Sequence, residues 1–208
     1  MATPHMPSPT HNTLRIIGGR WRGRKLSFAD APGLRPTPDR VRETLFNWLQ
    51  QNIAGARCMD LFSGSGALGL EALSRGAEFC LFLDSNHQAI SQIQSNLSLL
   101  DPQADTESPL PQGQPRHKAH PTNTLEYLAH NRFAEQYDLI FVDPPFAEDC
   151  IKTCCQLLET HRWLTNNATI YLESPTIIEN HQLPNNWQRY RHKRAGNVHY
   201  HLALRATP

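Results

Sequence analysis

Residues 58–69, CMDLFSGSGALG, join an apolar segment to a glycine-rich turn and to the first residues of a helix. The pattern predicts a buried strand over 58–62 and a helix over 67–74. Glycines at a strand-to-helix turn let the backbone approach a ligand closely, and the first turn of the helix offers free N–H groups. This unit predicts an α/β fold that binds a ligand at the carboxyl edge of its sheet.

Strands and helices alternate along the rest of the chain, which is typical of a mostly parallel sheet covered by helices. The further strands are predicted at 79–83, 118–120, 138–142, 169–172, 187–193 and 198–204. The further helices are predicted at 88–99, 125–130 and 150–161. The last two strands could form an antiparallel hairpin around Ala195-Gly196-Asn197.

The glycines of the first turn are also spaced as in dinucleotide-binding enzymes. Gly64-x-Gly66-x-x-Gly69 matches that pattern, and Asp84 follows Gly64 by twenty residues, where a ribose-binding acid belongs. Asp60, however, lies directly before the glycines, where a carboxylate would repel a pyrophosphate but could bind a cationic amino-acid group. S-adenosylmethionine has such a group and no phosphate, so we favour it. A nicotinamide or flavin oxidoreductase remains the alternative.

A second motif, Asp143-Pro144-Pro145-Phe146, follows the apolar run LIFV at 139–142, which predicts a buried parallel strand. Proline has no N–H, so this loop presents carbonyls that lack a local donor. Asp143 and the Pro144 carbonyl could both accept hydrogen bonds from one exocyclic amine of a base, while Phe146 stacks on its ring. Such acceptors would turn a weakly nucleophilic amine toward a methyl donor. The alternative is a turn that only ends a strand.

The net charge of +1 conceals a strong segregation of charge along the chain. Residues 15–42 contain eight basic and two acidic residues, residues 43–188 contain seven basic and seventeen acidic ones, and residues 189–208 contain five basic residues and no acid. Basic ends around an acidic middle indicate a polyanionic partner that is held by the two ends. The alternative is a pair of basic segments that are only solvated.

The first basic segment has two local features. Two short strands, 14–17 and 24–26, flank the turn GGRWRG at 18–23, where arginine and tryptophan suit phosphate contact and base stacking. The stretch RPTP at 35–38 then predicts the start of a helix, with Thr37 as N-cap and Pro38 at the first helical position.

The composition excludes several other classes of protein. Five cysteines without Cys-x-x-Cys pairs indicate free thiols in a reducing compartment, and no histidines show the spacing of a metal site. We find no secretory signal and no run long enough to span a membrane. We therefore expect a cytoplasmic protein without a metal, and a monomer because no dimer face is evident.

With these motifs assembled, the chain resembles the RsmD-type methyltransferases, which modify a guanine N2 in small-subunit ribosomal RNA. The resemblance extends from about residue 14 to the C-terminus. It rests on RIIGGRWRGR at 15–24, RPTPDRVRETLFN at 35–47, DLFSGSGALG at 60–69 and DPPF at 143–146. It implies a Rossmann-like class I S-adenosylmethionine-dependent fold with helices on both faces of a mostly parallel sheet. RNA within an assembling ribosomal particle would be the partner.

The resemblance also implies three groups of site residues. S-adenosylmethionine would contact Asp60, Phe62, Ser63, Gly64, Ser65, Gly66, Asp84, Ser85, Asn123 and Thr124. The target guanine would be held by Asp143, Pro144, Pro145 and Phe146. Ribosomal RNA would be bound by Arg15, Arg20, Arg22, Arg24, Arg35, Thr37, Arg40 and Arg42.

The expected domain organisation has three parts. A disordered tail at 1–13 precedes a basic hairpin and helix at 14–52, and the methyltransferase domain follows at 53–208 with a long loop at 101–116. Two other functions remain open. A DNA adenine-N6 methyltransferase faces the same chemical problem and uses the same tetrapeptide, and a catalytically inactive RNA-binding relative would keep the basic segments. Transfer to a protein glutamine is disfavoured because that chemistry usually shows Asn at the position of Asp143.

Overall fold

The computed structural model describes residues 12–28, 36–102, 116–131, 135–145 and 148–206, the side chains of residues 148 and 149 excepted. The strands are β1 Asn12–Arg15, β2 Lys25–Phe28, β3 Arg57–Asp60, β4 Phe79–Asp84, β5 His117–Pro121, β6 Tyr137–Val142, β7 Leu164–Ser174, β8 Trp187–Ala195 and β9 Val198–Arg205. The helices are α1 Asp39–Trp48, α2 Ala67–Ser74, α3 His87–Leu100, α4 Thr124–His130 and α5 Glu148–Thr160, with a 3-10 turn at Asn180–Gln182. Residues 1–11 of the predicted tail and most of the predicted 101–116 loop lie outside the described residues, whereas Asn12 and Thr13, predicted as the end of that tail, belong to β1.

Each predicted strand and helix is found, and β7 differs most from its prediction. It begins at Leu164 rather than at Thr169, because its pairing with β6 shifts register between Tyr137 and Leu139. This irregularity places the exposed Asn166 and Asn167 within the strand.

Seven strands form one sheet in the order β5-β4-β3-β6-β7-β9-β8. The first five are parallel, and β9 runs antiparallel to both of its neighbours. The chain moves outward from β3 to β5 and then returns to place β6 on the other side of β3. Because the strand order reverses there, a crevice opens between the carboxyl ends of β3 and β6, where open α/β sheets bind ligands.

Helices cover both faces of this sheet, as predicted. Alternate residues of β3 show the division, since Cys58 packs into one core and Met59 into the other. The first core also contains the apolar faces of α1, α2 and α3, and the second contains those of α4 and α5. None of the described helices is long and apolar enough to cross a membrane.

The N-terminal hairpin of β1 and β2 packs onto the first core rather than standing apart from it. Leu14, Trp21 and Leu26 are buried there. The turn between the strands lies against the end of α2, where the backbone N–H of Arg20 donates to the Ser74 carbonyl at 2.7 Å. A Cβ at Gly19, whose φ is 74°, would lie 1.9 Å from that same carbonyl oxygen. The absence of a Cβ at Gly19 therefore allows the hairpin to pack closely on α2.

Candidate active site

Four acidic side chains lie at the carboxyl ends of four neighbouring strands. Asp84 ends β4, Asp60 ends β3, Asp143 follows β6 directly, and Glu173 is the penultimate residue of β7. The order β4-β3-β6-β7 therefore aligns them along one edge, across the crevice. An edge of this charge suits a cationic ligand and disfavours a pyrophosphate.

The glycine turn between β3 and α2 is held tightly against β4. Gly66 has a φ of 78° and donates its N–H to the Ser63 carbonyl at 2.6 Å, and the Gly64 N–H donates to Asp84 Oδ2 at 2.8 Å. A Cβ at Gly69 would lie 2.2 Å from the Phe82 ring. The first two glycines therefore shape the turn, and the third lets α2 pack closely on β4.

Asp60 is buried at the end of β3, and its Oδ2 accepts the Gly69 N–H at 3.0 Å. Burial raises the pKa of Asp60 to about 7, the nearby Asp84 raises it too, and the Gly69 N–H opposes the shift. The carboxyl therefore titrates near neutrality. A cationic group beside it would favour its ionised form.

Asp84 joins the glycine turn to the start of α3. While its Oδ2 accepts from Gly64, its Oδ1 accepts the Asn86 N–H at 2.8 Å. The Asn86 side chain in turn caps α3 by accepting the N–H groups of Gln88 and Ala89 at 2.9 and 3.3 Å. Each Asp84 oxygen keeps a second lone pair for a ligand hydroxyl.

Asn123 and Thr124 lie beside this group at the start of α4. The Asn123 Oδ1 caps the helix by accepting the N–H groups of Leu125 and Glu126 at 3.0 and 3.2 Å. The Thr124 hydroxyl donates to the Leu61 carbonyl just after β3. The capping bonds use only the Asn123 oxygen, so the amide N–H groups of this exposed residue remain available as donors. Of the other predicted cofactor contacts, Ser63 and Ser65 are buried, Phe62 is partly buried and Ser85 is exposed.

A cleft opens next to Asp143. It is lined by Asp143, Pro144, Ile151, Glu173, Ser174, Pro175 and Val198. Burial raises the pKa of Asp143 well above its ordinary value, as do the neighbouring carboxyls of Glu173 and Asp60, and a hydrogen bond with Thr37 opposes the shift. Pro144 is buried and Pro145 is exposed, whereas Phe146 lies outside the described residues.

Glu173 is a site residue that was not predicted as one. Its exposed fraction is 9%, and its Oε1 accepts a hydrogen bond from the Tyr171 hydroxyl at 2.6 Å. Burial raises the pKa of Glu173, and hydrogen bonds with Tyr171 and Thr37 oppose the shift. The signal was present in the sequence, because Glu173, like Asp143, is an acid at the carboxyl end of a predicted parallel strand.

Thr37 occupies a different position from the one predicted. It does not cap α1, which begins at Asp39 with Pro38 as its N-cap and no side-chain capping bond. Its side chain is buried and its hydroxyl is in hydrogen-bonding contact with the carboxyls of Asp143 and Glu173. Thr37 therefore positions acids in the cleft, and the prediction that it binds RNA has no exposed hydroxyl to support it.

Arg42 corrects another part of the predicted RNA surface. Its side chain is fully buried, with Nη1 at 3.3 Å from Glu71 Oε2 and Nε donating to the Thr37 carbonyl at 3.2 Å. Glu71 also accepts the Ile17 N–H at 2.9 Å and the Arg75 Nε at 2.7 Å. The guanidinium therefore links α1, α2 and the N-terminal hairpin, and it presents no surface to RNA.

The other cations predicted to bind RNA differ in whether they form an ion pair or a hydrogen bond within the protein. Arg15 pairs with Asp39 at 3.2 Å, Arg20 pairs with Asp101 at 2.7 Å, and Arg24 Nη2 donates to the Leu99 carbonyl at 3.2 Å. Arg22 and Arg40 are exposed and form no ion pair with the carboxylates that the structure describes, whereas Arg35 lies outside the described residues.

Trp21 is not available for base stacking. Its exposed fraction is 7%, because the ring packs into the first core, and the Arg20 guanidinium covers it at 4.2 Å from the ring centroid. The prediction that this tryptophan stacks on RNA bases was therefore wrong. The sequence pattern of arginine and tryptophan between glycines did not reveal which way the ring faces.

Three histidines come together on β8 and β9 although their sequence spacing indicated no cluster. Candidate ligand atoms of His192, His199 and His201 lie within 4.8 Å of one another. His192 Nε2 lies 3.0 Å from His199 Nδ1. His201 Nε2 accepts the Ile178 N–H at 3.1 Å, and its Nδ1 lies 3.4 Å from the Leu172 carbonyl. Each ring thus has a hydrogen-bonding contact within the protein.

The chain is similar to known proteins over most of its length. Residues 14–204 match the family described as Conserved hypothetical protein 95. The chain is 42% identical over 203 residues to ribosomal RNA small subunit methyltransferase D of Escherichia coli, with 96% of each chain covered. It is 38% identical to the protein of that name from Haemophilus influenzae, with 91% of this chain and 92% of the relative covered.

Solved structures show the same fold. The yhhF protein of Escherichia coli superimposes with a TM-score of 0.80 at 41% identity, and the match covers 95% of this chain and 100% of that one. Magnesium protoporphyrin IX methyltransferase from Synechocystis, solved with bound S-adenosylmethionine, has a TM-score of 0.58 and covers 80% and 79%. At 13% identity the second likeness concerns the Rossmann-like class I fold alone. The chain therefore belongs to the Conserved hypothetical protein 95 family, which is the family of the RsmD-type ribosomal RNA methyltransferases.

Proposed function

We propose that the protein transfers the methyl group of S-adenosylmethionine to the exocyclic N2 amine of a guanine in small-subunit ribosomal RNA. Family membership supports the reaction class and the RNA. The observation that supports the base and the atom is the pair of carboxyls, Asp143 and Glu173, which end adjacent parallel strands and line one cleft.

The residues around β3 and β4 fit S-adenosylmethionine. Asp60 would bind the ammonium group, Asp84 would accept the ribose hydroxyls, and Asn123 would lie beside the adenine. Because the Asp60 carboxyl has a pKa of about 7 in the free protein, a cation beside it would be stabilised as that carboxyl ionises. When bound, the cofactor supplies an electrophilic methyl group on a cationic sulfur.

The carboxyl pair favours guanine over adenine. The Watson–Crick edge of guanine presents two neighbouring donors, N1–H and the N2 amine, whereas that of adenine places the acceptor N1 beside its amine. Asp143 and Glu173 in their ionised forms are both acceptors, so they match two donors and would repel the adenine N1. A cationic cofactor nearby would lower both of the raised pKa values and favour those ionised forms.

The Asp143 loop would then orient the amine for attack. Asp143 and the Pro144 carbonyl accept hydrogen bonds from its two N–H groups, which turns its lone pair toward the methyl group, in line with the sulfur–methyl bond that breaks. Positive charge develops on the nitrogen as the N–C bond forms, so Asp143 stabilises charge that appears in the transition state, and the methylated nitrogen then releases one proton to water. The base must leave its stack to reach this cleft, within RNA of an assembling particle as we propose.

The test is methyl transfer from labelled S-adenosylmethionine to unmodified small-subunit particles and to bulk DNA, followed by nucleoside digestion and mass spectrometry. We expect N2-methylguanosine from the particles alone. N6-methyladenine from DNA, or no transfer to either substrate, would contradict the proposal.

Two variants test the roles of the carboxyls. Asp143→Ala should lower turnover by roughly 100-fold to 1,000-fold, as for other preorganised groups that meet developing charge, while cofactor binding is kept. Glu173→Gln should lower discrimination against adenine, because the glutamine amide can also donate a hydrogen bond. Glu43→Gln, an exposed acid on α1, is the control for loss of one carboxylate. An unchanged rate in Asp143→Ala would refute its role.

A further inference from the structure

Exposed cations follow one edge of the sheet, on β8. Arg191, Lys193 and Arg194 are all exposed, and no carboxylate that the structure describes lies within 4.0 Å of their charged nitrogens. Arg189 on the same strand differs, because it pairs with Glu179 at 3.2 Å and donates to the Ile178 carbonyl at 2.7 Å. The three exposed side chains therefore retain charge that the fold does not neutralise.

Strand register places these cations beside the cleft. Tyr200 of β9 pairs with Glu173 of β7 on one side and with Lys193 of β8 on the other. Since neighbouring strands lie about 4.8 Å apart, the backbone of Lys193 is roughly 10 Å from that of Glu173. Arg194 is one residue further along, toward the turn that leads to Val198 in the wall of the cleft.

An exposed aromatic ring accompanies the cations. Tyr190 lies at a register shift between β8 and β9 and has an exposed fraction of 54%. The Arg191 guanidinium lies over one face of its ring at 4.6 Å from the centroid. Cations that meet phosphates, together with an aromatic face, are the combination that binds single-stranded RNA.

We propose that the β8 edge, defined by Tyr190, Arg191, Lys193 and Arg194, binds the RNA phosphates that flank the guanine held in the cleft. This inference rests on the proposed function, and it assigns the polyanion contact expected of the basic C-terminal segment to four named residues beside the cleft. The unpaired positive charge of the β8 edge complements the phosphates of an RNA backbone. The register of β8, β9 and β7 places this edge at the rim of the cleft.

The main structural alternative is protection of the sheet edge. Lysine and arginine on an edge strand prevent it from pairing with other chains, and charge of either sign serves that purpose. Contact with phosphates requires positive charge. Replacement of the cations by glutamate therefore separates the two roles, because it keeps the edge charged and reverses the sign.

The experiment compares R191E/K193E with K118E/R162E in the full-length protein. Lys118 and Arg162 are exposed cations, on β5 at the opposite edge of the sheet and just after α5, so the second double variant changes the net charge equally. The substrate is unmodified small-subunit particles at several salt concentrations. We expect R191E/K193E to raise KM at least tenfold, to keep kcat, and to reduce the slope of log KM against log salt by about 2 relative to native.

Each outcome decides the proposal. Equal KM values and salt slopes in the two double variants would overturn it, and so would a R191E/K193E variant that behaves like the native protein. The milder R191Q/K193Q should show an intermediate rise in KM, and S-adenosylmethionine binding by each variant verifies its fold. If the native protein makes no N2-methylguanosine, the proposed function fails instead, and binding of the particles by native protein and R191E/K193E still tests the β8 edge directly.

Discussion

The N-terminal hairpin and the C-terminal hairpin are both antiparallel, two-stranded and basic, but their arginines have different surroundings. In the N-terminal region Arg42 is buried against Glu71, and Arg20 is paired with Asp101. In the C-terminal hairpin Arg191 and Lys193 are exposed on a sheet edge, without a described carboxylate within 4.0 Å.

The difference follows from what each hairpin packs against. The N-terminal hairpin lies on α2 and α3, where Arg20 meets Asp101 and Arg24 meets the Leu99 carbonyl at the end of α3, and Arg42 of the neighbouring α1 meets Glu71. Among the described strands, none lies beyond β8 at that edge of the sheet. Net charge in a segment therefore indicates a polyanion partner only where the fold leaves that charge unpaired.

The largest expected effect is a loss of stability when the Arg42 side chain is removed, and it tests whether this N-terminal cation is structural. Arg42→Ala removes one of the two guanidinium partners of the buried Glu71, which keeps Arg75, and it also removes the donor to the Thr37 carbonyl. It should therefore lower the free energy of unfolding by about 3 kcal/mol, the low end of what breaking a buried ion pair costs. Arg40→Ala on the same helix, whose side chain is exposed, should change it by less than about 0.5 kcal/mol. Denaturant unfolding measures both. An Arg42→Ala variant that keeps its stability and loses RNA affinity would show that Arg42 serves RNA binding rather than structure.

The proposed cofactor contacts include no residue of either hairpin, so the pH dependence of cofactor binding gives an internal reference. The pKa of Asp60 is raised to about 7 in the free protein, and its ionised form should bind the cationic cofactor. Affinity should therefore rise with pH through about 7 and fall by up to roughly tenfold, about 1.4 kcal/mol, for each pH unit below it. Titration calorimetry on native, R191E/K193E and Asp60→Asn proteins measures this. The hairpin variant should keep the pH dependence, and its persistence in Asp60→Asn would exclude Asp60 as the titrating group.

The smallest expected effect is on the salt dependence of RNA binding, and it compares two arginines within the N-terminal hairpin. Arg20 and Arg22 flank the buried Trp21, but only Arg20 has a described acidic partner, Asp101. Arg22→Gln should therefore lower the salt slope of particle binding by about 1. Arg20→Gln should leave the slope nearly unchanged, since its charge is already paired. Equal slopes for the two variants would show that ion pairing does not decide which arginine is available to RNA.

Much of the fold and three of the four acids along the sheet edge were predictable from local pattern. Apolar periodicity located the strands, and each strand delivers the residue after it to the same edge, which brought Asp60, Asp84 and Asp143 together. Glu173 follows the same rule and was overlooked because no motif surrounds it. Asn86 and Asn123 are N-caps of α3 and α4, a role that their position before each predicted helix is consistent with.

The sequence by itself determined the order of strands and helices, the glycine turn and the Asp143 loop, because these depend on residues that are neighbours in the chain. Only the tertiary structure decided that Thr37 contacts Asp143, that Arg42 is buried against Glu71, and that the β8 cations stay exposed. Those outcomes depend on contacts between segments far apart in the chain. Burial and ion pairing are properties of the packed molecule, so an arginine can be a structural link in the N-terminal region and a free charge in the C-terminal hairpin.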